Sequence, residues 1–293
     1  MDGFINLNKG DGLSSFKAIA KLRRITGEKK VGHTGTLDPM ATGVLPATIG
    51  QASKFIGLLP TYPKGYDAKF RLGLTTDTLD ITGEVTGRYD VLVSESDVKE
   101  VLEKFVGKIK QIPPMYSALS KDGVKLYDLA RKGIEVEREA RDVEIYEISY
   151  NGCEDGEYSI SVSCSQGTYI RTLIDDLGRE LGCGAVMTAL VRTASNGFNI
   201  ENSYTIDEME KLADDGRFEE FIIPVRKIMS VYPSVFITEK QAVRFTNGAG
   251  LDVGRIKDIP EKSGLLSVYS GEDFLGVGEI CDGELICRRV YLR

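Results

Sequence analysis

Apolar residues along the chain recur with two periods, and the changeover between them outlines its elements. The opening FINLNKGDGLSSFKAIAKLRRITG reads as a short strand, a Gly-rich turn at Gly10 to Gly12, and a helix from about Ser15 to Thr26. Ser14 or Ser15 supplies the N-cap, and Gly27 ends the helix. Residues 48 to 59 read as helical, Tyr66 to Leu74 alternates like a strand, and residues 94 to 106 (SESDVKEVLEKFV) form an amphipathic helix with a Ser or Asp cap. Residues 157 to 165 alternate again, and Gln166-Gly167-Thr168-Tyr169 turns into the helix IRTLIDDLGREL. After about Ile228 the texture changes to short strands and tight turns: VFIT, LLSVY, FLGVGEI and ELICRRVYL, the last running to Leu292. This pattern predicts a mixed α/β domain over residues 1–230, on a largely antiparallel sheet, followed by a small β-rich module over residues 231–293.

Between Ile109 and Arg141 the pattern is irregular. IKQIPPMYSALSKDGVKLYDLARKGIEVEREAR joins a Pro-Pro break to a short helix around Val124 to Arg131 and interleaves basic residues with Tyr116 and Tyr127. Such a stretch is either a plain helical excursion or a basic, aromatic finger suited to nucleic acid.

A length of 293 residues suits one large domain with a small companion. No apolar run reaches about 18 residues and MDGFINLNKGDG lacks the zones of a signal peptide, so a cytoplasmic protein without membrane contact is expected. The five cysteines form no C-x-x-C pair and read as reduced thiols. A net charge of −7 argues against a nucleic-acid partner only until its distribution is read. Residues 1 to 71 carry 11 Lys/Arg against 5 Asp/Glu, and residues 104 to 141 carry 9 against 5, so the basic parts are masked by acidic surroundings. Lys17, Lys21, Arg23, Arg24, Lys29 and Lys30 form either a solvated helix face or a phosphate-contacting patch, with Arg131 and Arg141 as further backbone contacts.

The segment GHTGTLDPMATG holds Asp38 close to His33, the chain's single histidine. Gly32, Thr34, Gly35 and Thr36 let the backbone turn sharply, and Pro39 biases Asp38 to an extended conformation, so its carboxylate can stand clear of the loop. Asp-Pro is also an ordinary turn signal. The glycine spacing matches no phosphate cradle, and one His without nearby Cys or acidic clusters assembles no usual metal site. Arg171 falls in the first turn of its predicted helix, where a cation opposes the helix dipole; an ion pair to Asp175 is the local alternative to a functional role.

GHTGTLDPMATGVLP resembles the active-site segment of the TruB family of tRNA pseudouridine synthases. KGYDAKFRLGLTTDT, the stretch from Gln111 to Arg141, CSQGTYIRT and the C-terminal module resemble further blocks of that family in order. The resemblance implies the pseudouridine synthase fold, a thumb-like insertion that presses on tRNA, and a PUA-like C-terminal domain. It further implies that Asp38 is the catalytic nucleophile, that Arg171 pairs with it and that Tyr66 packs on the target base. Tyr169 and Leu190 would line the uridine pocket, His33 would assist base extrusion, and Lys9 would join the substrate-binding set. The implied reaction converts uridine 55 of the tRNA T-loop to pseudouridine by a monomer without cofactor, metal or obligatory protein partner. The alternatives are a non-catalytic RNA-binding or tRNA-folding protein and the catalytic subunit of a guide-RNA-directed synthase. Two departures stand out: Lys9-Gly10 replaces the family's Lys-Pro, and Leu190-Val191-Arg192 replaces its Leu-Arg-Arg, which removes one possible phosphate contact.

Overall fold

The computed structural model describes residues 1–260 and 264–291; Leu292 of the last expected strand lies outside them. Strand Lys64–Leu72 shows how the sequence builds the main sheet, since Tyr66, Ala68 and Phe70 are buried while Asp67, Lys69 and Arg71 face solvent. That period of two gives this strand one core face.

Ten strands form this sheet. In spatial order its path runs Ile222–Ile223, Gly3–Lys9, Thr42–Ile49, Ala185–Ser195, Lys64–Leu72, Glu157–Cys164, Arg141–Glu154 and Gly107–Gln111, with Phe198–Asn199 and Val31–His33 paired alongside. All pairings are antiparallel except one, where Val191 and Arg192 run parallel to Thr42 and Gly43. At this junction Gly43 has φ +94°, and a Cβ on it would lie 2.3 Å from the Arg192 carbonyl oxygen, so only glycine allows the strands to meet. Across the next ladder Arg192 stands opposite Tyr66, and directly opposed residues share a face.

Helix Ser15–Thr26 is capped by Ser14, whose hydroxyl accepts from the Lys17 amide, and closed by Gly27 in the left-handed conformation. Its inner face packs Ala18, Ile19 and Leu22 into the core beside Leu45, Ala47 and Met209. Helix Ile170–Glu180 follows the turn after Glu157–Cys164 and leads to the central strand Ala185–Ser195, burying most of its length against the sheet. The helix expected over residues 94 to 106 spans Glu95–Lys104, with a reciprocal capping box between Ser94 and Asp97.

Two expected elements differ. Thr48 and Ile49 belong to a strand, because they pair with Phe4 and Gly3 on one side and Gly32 and Val31 on the other; a 3-10 helix, Gly50–Leu58, follows. In the irregular stretch, Val124 and Lys125 pair with Lys121 and Ser120 in a hairpin, leaving the helix only Leu126–Ala130.

The second sheet has five strands in the order Ser234–Phe236, Leu265–Ser270, Asp273–Cys281, Glu284–Val290 and Leu251–Asp252, and helix Glu239–Thr246 packs on it. Asp282 and Gly283 both take positive φ in its tightest turn, as a two-residue hairpin requires. A shared core joins the sheets: Phe4, Val44, Ala52, Phe55 and Phe198 pack with Val225, Met229, Phe274 and Val277, and the Phe55 and Phe274 rings lie 6.2 Å apart.

Candidate active site

The loop carrying Asp38 links strands Val31–His33 and Thr42–Ile49, which pair with each other, so its two ends are fixed by one ladder. Side chains from three other elements hold its backbone. The Ser15 hydroxyl donates to the Leu37 carbonyl and accepts from the Leu37 amide, both at 2.9 Å. Lys9 Nζ donates to the Pro39 carbonyl at 3.1 Å. Arg192 donates to the carbonyls of Gly35 (3.2 Å), Thr36 (3.3 Å) and Val44 (2.7 Å). The peptides on either side of Asp38 are therefore set before any ligand arrives.

Asp38 faces a cleft of about 220 Å³ whose walls include Lys64, Tyr66, Ser117, Tyr169, Leu190 and Arg192. Arg171 reaches its floor with a side chain 5% exposed and places Nε 2.9 Å from an Asp38 oxygen. Its other nitrogens donate to the carbonyls of Thr78 (2.8 Å) and Tyr116 (2.7 Å), and Nη1 lies 3.9 Å from the buried Asp80 carboxylate. One guanidinium thus joins the Asp38 loop, the turn after Leu74–Thr76 and the irregular insertion, a task suited to its planar fork. Asp175, the alternative partner, pairs with Arg179 at 2.6 Å.

Burial raises the Asp38 pKa above the usual carboxylate range. The Arg171 charge opposes this, the Asp80 charge adds to it, and the hydrogen bond from Arg171 and the charge of Lys9 pull it back down. Tyr66, buried beside Arg192 and within its hydrogen-bonding reach, is pushed up to about 12, chiefly by burial, so it stays a phenol at neutral pH. Tyr169 is oriented through its main chain: the Gln111 amide accepts from its N–H at 3.0 Å and donates to its carbonyl at 3.2 Å. Leu190, 7% exposed, supplies the apolar wall.

The sequence therefore names Asp38, Arg171, Tyr66, Tyr169 and Leu190, and the fold brings all five to one cleft. His33 stands apart from this lining, at the end of its short strand. Its Nδ1 is buried without a partner, and burial next to the Arg192 charge lowers its pKa, favouring neutral imidazole. Lys9 is a correction. It was expected to touch substrate, yet it is fully buried, and its three donors go to the carbonyls of Gly10, Leu13 and Pro39. With no donor left it braces the Asp38 loop from behind.

Lys17, Lys21, Arg23, Arg24, Lys29 and Lys30 are exposed on and after the first helix, although Arg24 pairs with Glu210 at 2.9 Å and Arg23 donates to the Val31 carbonyl. Arg131 stacks over Tyr127 at 5.5 Å, and Arg141 is exposed at the start of its strand. Arg192, Asp80, Gln111 and Lys64 escaped the sequence reading. An arginine inside the otherwise uncharged run AVMTALVRTAS was the available signal for the first of them, since a charge there must be satisfied internally. Among the described residues no cluster of three or more His, Cys, Asp or Glu could hold a metal.

A mostly antiparallel sheet that aims a carboxylate–guanidinium pair into a base-sized cleft, with a small β domain behind it, defines the pseudouridine synthase fold. Two solved structures share it over 99% of this chain and 85% of theirs. One is a Cbf5–Nop10–Gar1 complex (27% identity, TM-score 0.73); the other is an H/ACA RNP bound to a substrate RNA containing 2'-deoxyuridine (25%, TM-score 0.72). Family models match in sequence: TruB family pseudouridylate synthase (N terminal domain) over residues 23–170, tRNA pseudouridylate synthase B C-terminal domain over 171–230, and pseudouridine synthase II TruB, C-terminal, over 233–291. Proteins named tRNA pseudouridine synthase B are similar along nearly the whole chain. That of Clostridium kluyveri is 41% identical over 95% of each chain, and that of Pseudomonas putida 41% over 99% of this chain and 95% of its own. The chain belongs to the TruB family and is a pseudouridine synthase, an isomerase.

Proposed function

We propose that this enzyme converts uridine 55 in the T-loop of tRNA to pseudouridine, with Asp38 as the nucleophile. The observation that carries the reading is the 2.9 Å contact between Asp38 and a buried Arg171 at the floor of a cleft sized for one base. The reaction breaks the bond between uracil N1 and ribose C1′, turns the base and forms a bond from C5 to C1′; C5 gives up its proton and N1 ends protonated, so no atom is gained or lost. A carboxylate that bonds to the ribose or to the base holds that fragment while the other turns, and its own bond is broken again before the product leaves. Arg171 favours the ionised form and fixes the direction of attack. The Tyr66 ring packs on the base as a neutral phenol, Leu190 and Tyr169 close the pocket, and His33 fills space among the loop bases once the uridine is extruded.

The relatives' names support tRNA as substrate. We further infer a cytoplasmic monomer that engages the T-arm without an obligatory partner; among the described residues no helix is long and apolar enough to cross a membrane. The test incubates purified protein with an unmodified tRNA transcript, omitting metal and guide RNA, and maps pseudouridine. One modified T-loop site is expected with wild type and none with Asp38→Asn, which should still bind tRNA. Turnover by Asp38→Asn protein above background would overturn the assignment.

A further inference from the structure

We propose that Lys64 binds the phosphodiester of the nucleotide whose base enters the cleft, an inference that rests on the function proposed above. Lys64 begins the strand that carries Tyr66 and, two residues away, lies on the same side of the sheet. It lines the cleft and is half-buried. The site of a Cβ on Gly35 would be 3.9 Å from Lys64 Nζ and 3.9 Å from Arg192 Nη1, so two cations flank the loop that bears Asp38.

The cations of this site differ in one respect. Arg171 is taken by Asp38 and two carbonyls, Arg192 by three carbonyls, and Lys9, behind the loop, by three more. Among the described residues none accepts a hydrogen bond from Lys64 Nζ or forms an ion pair with it. Its ladder neighbour Cys164 is no counter-charge, because burial pushes that thiol up to about 11. Burial and the Arg192 charge depress Lys64 to about 8, so it remains a cation at neutral pH whose charge a nearby anion would stabilise. A polynucleotide brings one anion per nucleotide. An extruded base that reaches Asp38 carries its own phosphate to the rim, and among the described residues Lys64 is the cleft-lining cation whose donors have no partner.

The test uses a T-arm stem-loop RNA, either unmodified or with a methylphosphonate replacing one of the phosphates flanking the target uridine. Wild type is compared with Lys64→Met, Lys64→Gln and Lys64→Arg, each first shown to unfold at the wild-type urea midpoint. On unmodified RNA the neutral variants should raise KM about tenfold, the size of one charge-assisted hydrogen bond, with little change in kcat, while Lys64→Arg recovers most of the loss. The slope of log affinity against log salt should become shallower by about 0.7. At one flanking position the methylphosphonate should cost wild type about as much as the neutral variants cost, and the neutral variants should lose nothing more there. Losses that multiply at both flanking positions, or a neutral variant with wild-type KM, would overturn the assignment. A wild type that leaves uridine unchanged in the unmodified RNA would instead overturn the proposed function and this inference with it.

Discussion

Arg192 offers the sharpest test of how the fold holds its nucleophile. In Arg192→Met the side-chain volume is roughly kept, and three hydrogen bonds to carbonyl oxygens are lost together with a cation 1% exposed. The carbonyls of Gly35 and Thr36 belong to a partly exposed loop and can turn to water, so their bonds, at 3.2 and 3.3 Å, count for little. Val44 is fully buried, and its oxygen, held at 2.7 Å, has no such recourse. An orphaned buried acceptor costs about 1–3 kcal/mol, and the relief of no longer burying a charge offsets part of any further loss. The net destabilisation should be about 2 kcal/mol, read as a lower urea midpoint at unchanged slope. Catalysis should suffer more than stability, because the bonds to Gly35 and Thr36 set the loop that carries Asp38, and a misplacement of about 1 Å can cost on the order of 100-fold. Arg192→Lys keeps the charge but only part of the fork, and should fall between. The assay pairs urea unfolding with single-turnover conversion of an unmodified T-arm. An Arg192→Met protein with wild-type midpoint and wild-type rate would refute the bracing role.

The raised pKa of Asp38 has two signs to check. The ionised form is the reactive one, so kcat/KM should rise with pH along an acid limb lying above the usual Asp value; a limb at or below an ordinary carboxylate pKa would contradict the burial of this group. A carboxyl whose folded pKa is raised holds its proton more tightly when folded, so it lowers stability as pH rises through that pKa. Asp38→Asn should therefore be at least as stable as wild type at pH 7, with the difference closing near pH 4; urea midpoints that show it weaker at pH 7 would disprove this. Tyr66→Phe keeps the ring and should retain folding and substantial turnover, whereas Tyr66→Ala should lose most activity, and equal losses in single-turnover assays would argue against packing as the main role. Lys9→Met should destabilise by about 1 kcal/mol in urea unfolding, because three part-buried hydrogen bonds to carbonyls are lost, and a loss confined to KM would restore Lys9 to the substrate-contacting set.

The sequence discloses the reacting groups more readily than the groups that hold them. Asp38 and Arg171 sit in short motifs whose local features are odd: an acid in a loop of small residues, and an arginine at the wrong end of a helix. The first helix is legible to the residue because its cap and its terminal glycine are local signals. Strand Thr42–Ile49 and the central strand Ala185–Ser195 are not, since the first is buried on both faces and the second lacks clean alternation. Their identity comes from pairing with residues far away in the chain, the parallel contact at Gly43 above all. For the same reason the place of Arg192 behind the Asp38 loop emerges only when the ladder sets it opposite Tyr66. Lys9 misleads in another way: the resemblance implies a substrate contact, and only the fold shows three carbonyls closing around it.

Charge at the cleft follows one physical logic. A nucleophilic carboxylate beside a polyanionic substrate meets like charge, and burying it adds a solvation penalty, so its ionised form needs fixed positive charge close by. Lysines free to pair with it would satisfy the charge but leave its direction loose. The chain instead ties Lys9 and Arg192 to backbone carbonyls, where they contribute potential and hold the loop without competing for the carboxylate, and leaves the direct contact to Arg171, itself clamped by Thr78 and Tyr116. Because Tyr116 belongs to the insertion, the same guanidinium that aims Asp38 also anchors the segment expected to press on RNA. Arg171→Lys, which cannot span all three partners, should therefore weaken RNA binding as well as turnover. A variant that lost kcat alone, with the insertion as resistant to proteolysis as in wild type, would separate these two tasks.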